Sequence, residues 1–499
     1  LRPSTIKNYE VEPVQSSKLS RCIYAFLAVG AAGILIIIVL FALKSYADIF
    51  TGGKLVFLVV SLALAAAVIL AGSRLNWGNG LTDQAFILLT VVLALAPRLF
   101  WVLTVDTAPF SDFLHMHNYG IAVTQGDFTN YVDFYSCFPF KFGFGFLVGG
   151  LYALFGPAPL VVQLFNVFLS LAQVLLVYLV AREIEPEAAR PAALFYAVWP
   201  AQIMYCSVVA AENSFLVPFF AAIYVLVVFL KRHAGSPKGY AMLIAAGVLT
   251  AVAQAMRPMA MVLIPAAAVL ILFFIPRRAL EGRSTAKKAL FIALTALSYF
   301  AALKLVSIPI KELSGVDITR SGSGYNFLVG TNYEANGMFN QEDFSIIAKY
   351  DFDFDRVHSE AKKLAIQRIR EDPVRFMKLM VKKVNLQWGK ENYGYYWSTI
   401  SADSGGRLEG LIKLHPRIFY AGSQLYYLVI LFLAVAGCYA VYRRKIMEPA
   451  LFWLIIGAMF LAYSFLEVQP RYHMPAVPLF IMLAGLGASE IKGMRPEGK

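Results

Sequence analysis

The chain has 499 residues, 59% of them hydrophobic and only 15% charged, with 44 Lys and Arg against 31 Asp and Glu for a formal net charge of +13. Soluble domains carry roughly half apolar and a quarter charged residues, and disordered chains deviate the other way, so the apolar excess belongs in lipid. An ordinary soluble enzyme is excluded, and the positive balance needs no nucleic-acid partner because cytoplasmic loops of membrane proteins collect Lys and Arg.

Crossing about 30 Å of hydrocarbon at about 1.5 Å per residue takes roughly 20 apolar residues. Twelve runs near that length predict an all-α polytopic membrane protein: 23–43, 55–72, 85–104, 159–181, 191–211, 214–230, 239–256, 258–276, 289–306, 420–442, 449–466 and 474–489. Alternation at period two is absent, which leaves helices as the spanning form. The polar, basic stretch 1–22 precedes the first run with no small-residue cleavage site, so that run is expected to stay in the membrane. With this tail cytoplasmic, the basic clusters at 231–238, 277–288 and 443–445 all fall inside, as does the tail at 490–499. Counting 139–156, "PFKFGFGFLVGGLYALFG", as a span would invert everything after it, so that segment reads as a juxtamembrane or re-entrant helix on the outer face.

The chain therefore divides into two N-terminal spans within 23–84, a transmembrane core over 85–306 with an outer loop at 105–158, an extracytoplasmic unit at 307–419, and C-terminal spans over 420–489. The outer unit is expected to be small and mainly helical. In "EDPVRFMKLMVKKVNLQW", Asp372 reads as a helix N-cap with Pro373 at the first helical position. The acidic run "DFDFD" at 351–355 lacks the spacing and glycine of a calcium loop and reads as a solvated turn.

This topology brings Arg98, Asp112, Lys141, Glu212, Asn213, Arg257, Glu467, Arg471 and His473 to one depth, the outer membrane boundary. Ionisable groups near hydrocarbon are costly and usually face a cavity, so such convergence suggests a site. Arg98, near a span end, could equally snorkel to headgroups. Arg257 in "AMRPMAM" and Arg471 in "EVQPRYHMPAVP" lie in turns of little polar length, which suits an anion ligand such as phosphate. The first outer loop offers Asp106, Asp112, Asp127 and Asp133, and position alone selects none of them. Asp112 with His115 and His117 has the residue types of a metal site, but two histidines in a surface loop are more often not one, and no metal is expected.

In order along the chain these motifs resemble the C-type glycosyltransferase superfamily, in its polyprenyl-phosphate-sugar branch of protein mannosyltransferases and lipid A aminoarabinose transferases. The resemblance rests on "SDFLHMHNYGIAVTQGDF" with its acidic position and Gly-Asp pair, on "FPFKFGFGFLVGGLYALFG" as a juxtamembrane helix ending in Leu-Phe-Gly, on Glu212 in "SVVAAENSFLVPFF", on Arg257-Pro258, and on the closing Arg471-Tyr472 with its prolines. Together they cover residues about 85 to 489. The chain departs from the family where Phe142-Gly143 replaces a double proline, where Ser111 stands beside Asp112 in place of a second acidic residue, and in its two extra N-terminal spans.

The resemblance implies a polyprenyl-phosphate-linked sugar donor, an acceptor hydroxyl on a protein, lipid or cell-wall polymer, no cofactor, and a site on the outer face of a bacterial plasma membrane. Asp112 is then the expected base with Glu212 positioning the acceptor or the base, Lys141, Arg257 and Arg471 hold the donor phosphate, and Arg98, His115, His117, Asn213, Tyr472 and His473 are candidate donor or acceptor contacts. A polytopic transporter or lipid flippase for an envelope precursor shares this layout, but its charges would gather near the midplane.

Overall fold

The computed structural model describes residues 17–50, 59, 63, 80–275, 284–320, 322–402 and 406–493. Over the described residues the chain builds helices, and its one β-type pairing there is an isolated antiparallel bridge between Thr107 and Ala402. In chain order the helices are α1 (Lys18–Ile49), α2 (Asp83–Thr104), α3 (Asp112–Thr124), α4 (Lys141–Phe155), α5 (Pro159–Ile184), α6 (Pro186–Ala197), α7 (Pro200–Tyr205), α8 (Glu212–Val228), α9 (Pro237–Met256), α10 (Leu263–Phe274) and α11 (Ser284–Ser314). They continue with α12 (Gly324–Gly330), α13 (Gln341–Lys349), α14 (Phe354–Glu371), α15 (Pro373–Gln387), α16 (Tyr393–Thr399), α17 (Arg407–Leu414), α18 (Pro416–Arg444), α19 (Ala450–Phe465) and α20 (Val477–Gly493).

Eight of the twelve expected spans, those beginning at 23, 85, 159, 214, 239, 289, 420 and 474, are helices long and apolar enough to cross a membrane. The runs 258–276 and 449–466 form shorter apolar helices, Ala260–Phe274 and Ala450–Phe465. The expected span 55–72, apart from residues 59 and 63, lies outside the described residues. The long helices turn large apolar side chains outward, among them Phe26, Leu88, Leu103, Leu297, Phe300 and Leu305. A water-soluble protein would not leave such a belt uncovered, and lipid covers it at no cost.

The run 191–211, expected as one span, is broken. Pro200 disfavours the helical region for the residue before it, and Trp199 accordingly takes φ −64° and ψ 109°, ending α6 and starting the short α7. Backbone carbonyls released at the break would be expensive in a buried setting, and named side chains satisfy them. Arg98 donates from Nη1 to Ala197 O at 2.7 Å and from Nη2 to Tyr196 O at 3.3 Å, with Nε on Ser170 Oγ at 2.7 Å. Asn166 Nδ2 donates to Cys206 O at 3.2 Å and Val208 O at 2.8 Å. The unwound stretch after Tyr205 then delivers Glu212 as the first residue of α8.

Residues of the two long polar segments meet at one end of the bundle. Cys137 and Phe138 of the first join Tyr325, Leu328, Val329, Ile346, Ile347, Val357, Ala361 and Ala365 of the second in one apolar core. The Asp372 side chain caps α15 by accepting from Arg375 N at 2.8 Å, with Pro373 at the first position, as the sequence indicates. In "DFDFD", Asp353 caps α14 and Asp355 pairs with Arg320 at 2.7 Å.

Candidate active site

The site sits where α3, α4, the α7–α8 link, the end of α9 and the Pro470–Ala476 turn converge. Asp112 opens α3, where the exposed backbone N–H groups of a helix start favour a carboxylate. Lys141 opens α4 and reaches it, Nζ to Oδ2 at 3.2 Å. The Asp112 side chain keeps 43% of its surface open against 12% for Lys141, so the carboxylate is the more accessible partner. The Lys141 ammonium draws the Asp112 carboxyl below its usual range, against the opposing effect of burial, and Arg471 adds to the pull.

Arg257 owes its position to Pro258. The proline forces the preceding residue extended, at φ −149° and ψ 137°, so α9 stops at Met256 and the guanidinium turns into the site. There it forms an ion pair with Glu212, whose side chain is buried, and lies 5.5 Å from the centre of the Tyr472 ring.

Arg471 is only 6% exposed, and its guanidinium lies 4.7 Å from the Phe113 ring centre, 4.8 Å from Trp397 and 5.7 Å from Tyr472. Each such contact is worth about 0.5–2 kcal/mol, and together they hold the cation in place. Its Nε and Nη1 are nevertheless buried with no hydrogen-bond partner. A buried guanidinium with idle donors is costly, and an anionic ligand is the group that would satisfy it.

The remaining candidates divide. Tyr472 belongs to the site, its hydroxyl donating to Glu467 Oε1 at 3.2 Å while its ring faces both arginines. Glu467, noted in the sequence but given no role there, is a third carboxylate of the cluster, raised in pKa by burial and by the nearby Asp112 charge. His115 stands edge-on to Tyr131 at 5.4 Å, and His117 Nδ1 shares a hydrogen bond of 2.6 Å with the Tyr152 hydroxyl. Burial lowers the pKa of both imidazoles. Among the described residues no three His, Cys, Asp or Glu side chains gather as a metal-binding group.

Arg98, Asn213 and His473 point elsewhere. Arg98 is spent on the carbonyls of the helix break. Asn213 accepts from Gln202 Nε2 at 2.5 Å within a buried amide cluster that also holds Gln173. His473 meets Glu391 Oε2 at 2.6 Å, both side chains fully buried. Sequence reasoning missed Glu391 altogether. Its other oxygen accepts from Trp199 Nε1 at 2.7 Å, and its backbone N–H donates to Gln424, so one residue ties the helix break, the Arg471 turn and α18 together. Nothing in "GKENYGYYW" announces that role.

Residues 141–303 match the family model described as dolichyl-phosphate-mannose-protein mannosyltransferase, a stretch that includes Lys141, Glu212 and Arg257 and leaves Asp112 and Arg471 outside. The resemblance to the C-type glycosyltransferases holds. No curated protein matches the chain. Among solved structures, the apo oligosaccharyltransferase of Archaeoglobus fulgidus is similar at 14% identity and a TM-score of 0.43, over 80% of this chain and 50% of that one. The same archaeal enzyme in complex with an inhibitory peptide and a dolichol-phosphate gives 14%, 0.43, and 82% and 50% coverage. ArnT from Cupriavidus metallidurans bound to undecaprenyl phosphate gives 12% identity and a TM-score of 0.32 over 83% of this chain and 79% of that one. The chain spans about half the length of the archaeal oligosaccharyltransferase.

Proposed function

We propose that the protein is a membrane glycosyltransferase that moves a sugar from a polyprenyl-phosphate donor to an acceptor hydroxyl at the extracytoplasmic face, in one inverting displacement that needs no metal. The observation that carries this reading is Arg471, a buried cation with idle donors, beside Arg257 and Lys141 and facing carboxylates. The donor phosphate fills that vacancy in hydrogen bonding. As the glycosidic bond breaks, its electron pair stays on the phosphate oxygen, and the three fixed cations stabilise the charge that develops there. The acceptor oxygen attacks the anomeric carbon from the opposite side while Asp112, open on one flank, takes its proton. Glu212, clamped by Arg257, keeps that cation aimed. The break in 191–211 would also suit a transporter, but its carbonyls at 196, 197, 206 and 208 are already engaged by Arg98 and Asn166.

The test uses purified protein and a panel of polyprenyl-phosphate sugars, starting with the mannose-linked one. Saturable thermal stabilisation by one donor is expected, lost in Arg471→Ala. Asp112→Asn should keep that stabilisation and lower transfer by about 10²- to 10⁴-fold, the range of a general base. Turnover in excess chelator should match that without it. Full transfer by Asp112→Asn would remove the base assignment, and stabilisation by none of the donors would remove the donor class.

A further inference from the structure

The three carboxylates of the site are held differently. Asp112 has Lys141 at 3.2 Å, and Glu212 has Arg257. Glu467, on the link between α19 and the Pro470–Ala476 turn, makes no ion pair among the described residues; its Oε1 accepts from the Tyr472 hydroxyl at 3.2 Å and from Gln469 Nε2 at 3.3 Å. The link itself is fixed, with Glu467 N donating to Asn326 O at 2.8 Å and Val468 N to Gly337 O at 3.0 Å. The carboxyl is therefore a placed group without a cation to clamp it. The charged groups facing it are Asp112, Lys141, Lys383 and Arg471, and the phenols are Tyr325, Tyr463 and Tyr472.

Burial raises the Glu467 pKa first and the Asp112 charge adds to it, while Lys141 lowers Asp112. Two titratable groups whose surroundings push them apart take different parts in a proton transfer. A carboxylate held low accepts a proton only in passing.

Resting on the glycosyl-transfer reading above, we propose that Glu467 is the group on which the acceptor's proton comes to rest, Asp112 being its way station. The acceptor oxygen bonds to the anomeric carbon, the bond from that carbon to the phosphate oxygen breaks, and its electron pair stays on the phosphate. The hydroxyl proton passes by Asp112 to Glu467, which becomes neutral while Asp112 stays ionised. The phosphate gains one negative charge as the diester becomes a monoester, and Glu467 loses one, so the net charge of the buried site is unchanged. Glu467 releases its proton to water before the next turnover.

The experiment measures release of polyprenyl phosphate from polyprenyl-phosphate mannose against pH, with native membrane vesicles supplying acceptor. In the wild type, kcat should fall on acidification at a pH above the ordinary glutamate range. Glu467→Gln should lower kcat about 10²-fold, abolish that acidic limb and leave donor-induced thermal stabilisation unchanged. Tyr472→Phe keeps the carboxyl but removes a hydrogen bond that favours its ionised form, and should move the limb to higher pH. A Glu467→Gln protein with the wild-type limb, or a Tyr472→Phe protein with an unmoved one, overturns the proposal and leaves the glycosyltransferase standing. Loss of donor stabilisation in Glu467→Gln would make the residue structural and also overturn it. A wild type that neither binds nor turns over any polyprenyl-phosphate sugar of the panel removes both readings.

Discussion

Lys383 shows how far a single side chain can be driven by its surroundings. It is 1% exposed, and Nζ donates to Gly330 O and Ser464 O, each at 2.9 Å, fixing α15 to the end of α19 two residues ahead of the Glu467 link. Burial pulls its pKa from 10.5 to about 7, with Glu467 opposing. Between those values the unfolded chain holds a proton that the native protein lacks, so stability rises with pH across that window, by at most about 1.4 kcal/mol per pH unit. The apparent Tm of the wild type should therefore climb relative to Lys383→Met between pH 7 and 10, and parallel curves would mean that Lys383 is not driven toward neutrality. At this scale the sequence was partly legible. Arg257 and Arg471 were visible because arginine in a short turn between apolar runs has few other uses. The choice of Asp112 among four loop aspartates came from the resemblance and not from position, since only three-dimensional placement exposes Asp106, Asp127 and Asp133 and sets Asp112 against Lys141.

Among the elements, α4 answers the question raised by its missing prolines. It starts at Lys141 and packs along α3 and the end of α9, with Gly143 against the Ala255 backbone, where an added Cβ would fall 1.8 Å from the carbonyl oxygen. Gly145 and Gly149 similarly admit Tyr119 and Val123. Glycine thus sets the approach that puts Lys141 beside Asp112 and near the turn carrying Arg257. Gly143→Ala should push α4 off α9, since backbone cannot yield as a side-chain tip does, and a strained close approach costs about 1–3 kcal/mol. The expected result is a lower Tm and a donor-induced stabilisation weakened alongside transfer; wild-type donor binding would show that α4 need not sit so close. The broken helix at 198–211 was less legible than α4. Hydropathy summed over 191–211 sees one apolar run, whereas the stop is a local steric effect of Pro200, made affordable by Arg98 and Asn166 from distant parts of the chain. The sequence put Arg98 at the right depth, but its partners are carbonyls that exist as partners only because the helix breaks.

Over the whole molecule, the sidedness of the site depends on which end of the bundle faces out. The loop 105–158 and the segment 307–419 share a core at one end, and Asp112, Lys141 and Arg471 lie there with them. Lys445, after α18, is exposed and follows Arg443 and Arg444 at the close of a helix whose start adjoins that segment. Since α18 is 29 residues long, about 1.5 Å of rise per residue carries it across the hydrocarbon, so Lys362 on α14 and Lys445 belong on opposite sides. On the reading proposed above, the excess of cations in the loops on the Lys445 side would mark that side as cytoplasmic. In a background with Cys22 changed to Ser, because that thiol is exposed, a membrane-impermeant maleimide should label Lys362→Cys in intact spheroplasts and Lys445→Cys only after permeabilisation. The reverse pattern would put the three cations at the cytoplasmic leaflet, where a lipid-linked donor would have to present its sugar inward and an extracytoplasmic acceptor could not reach it.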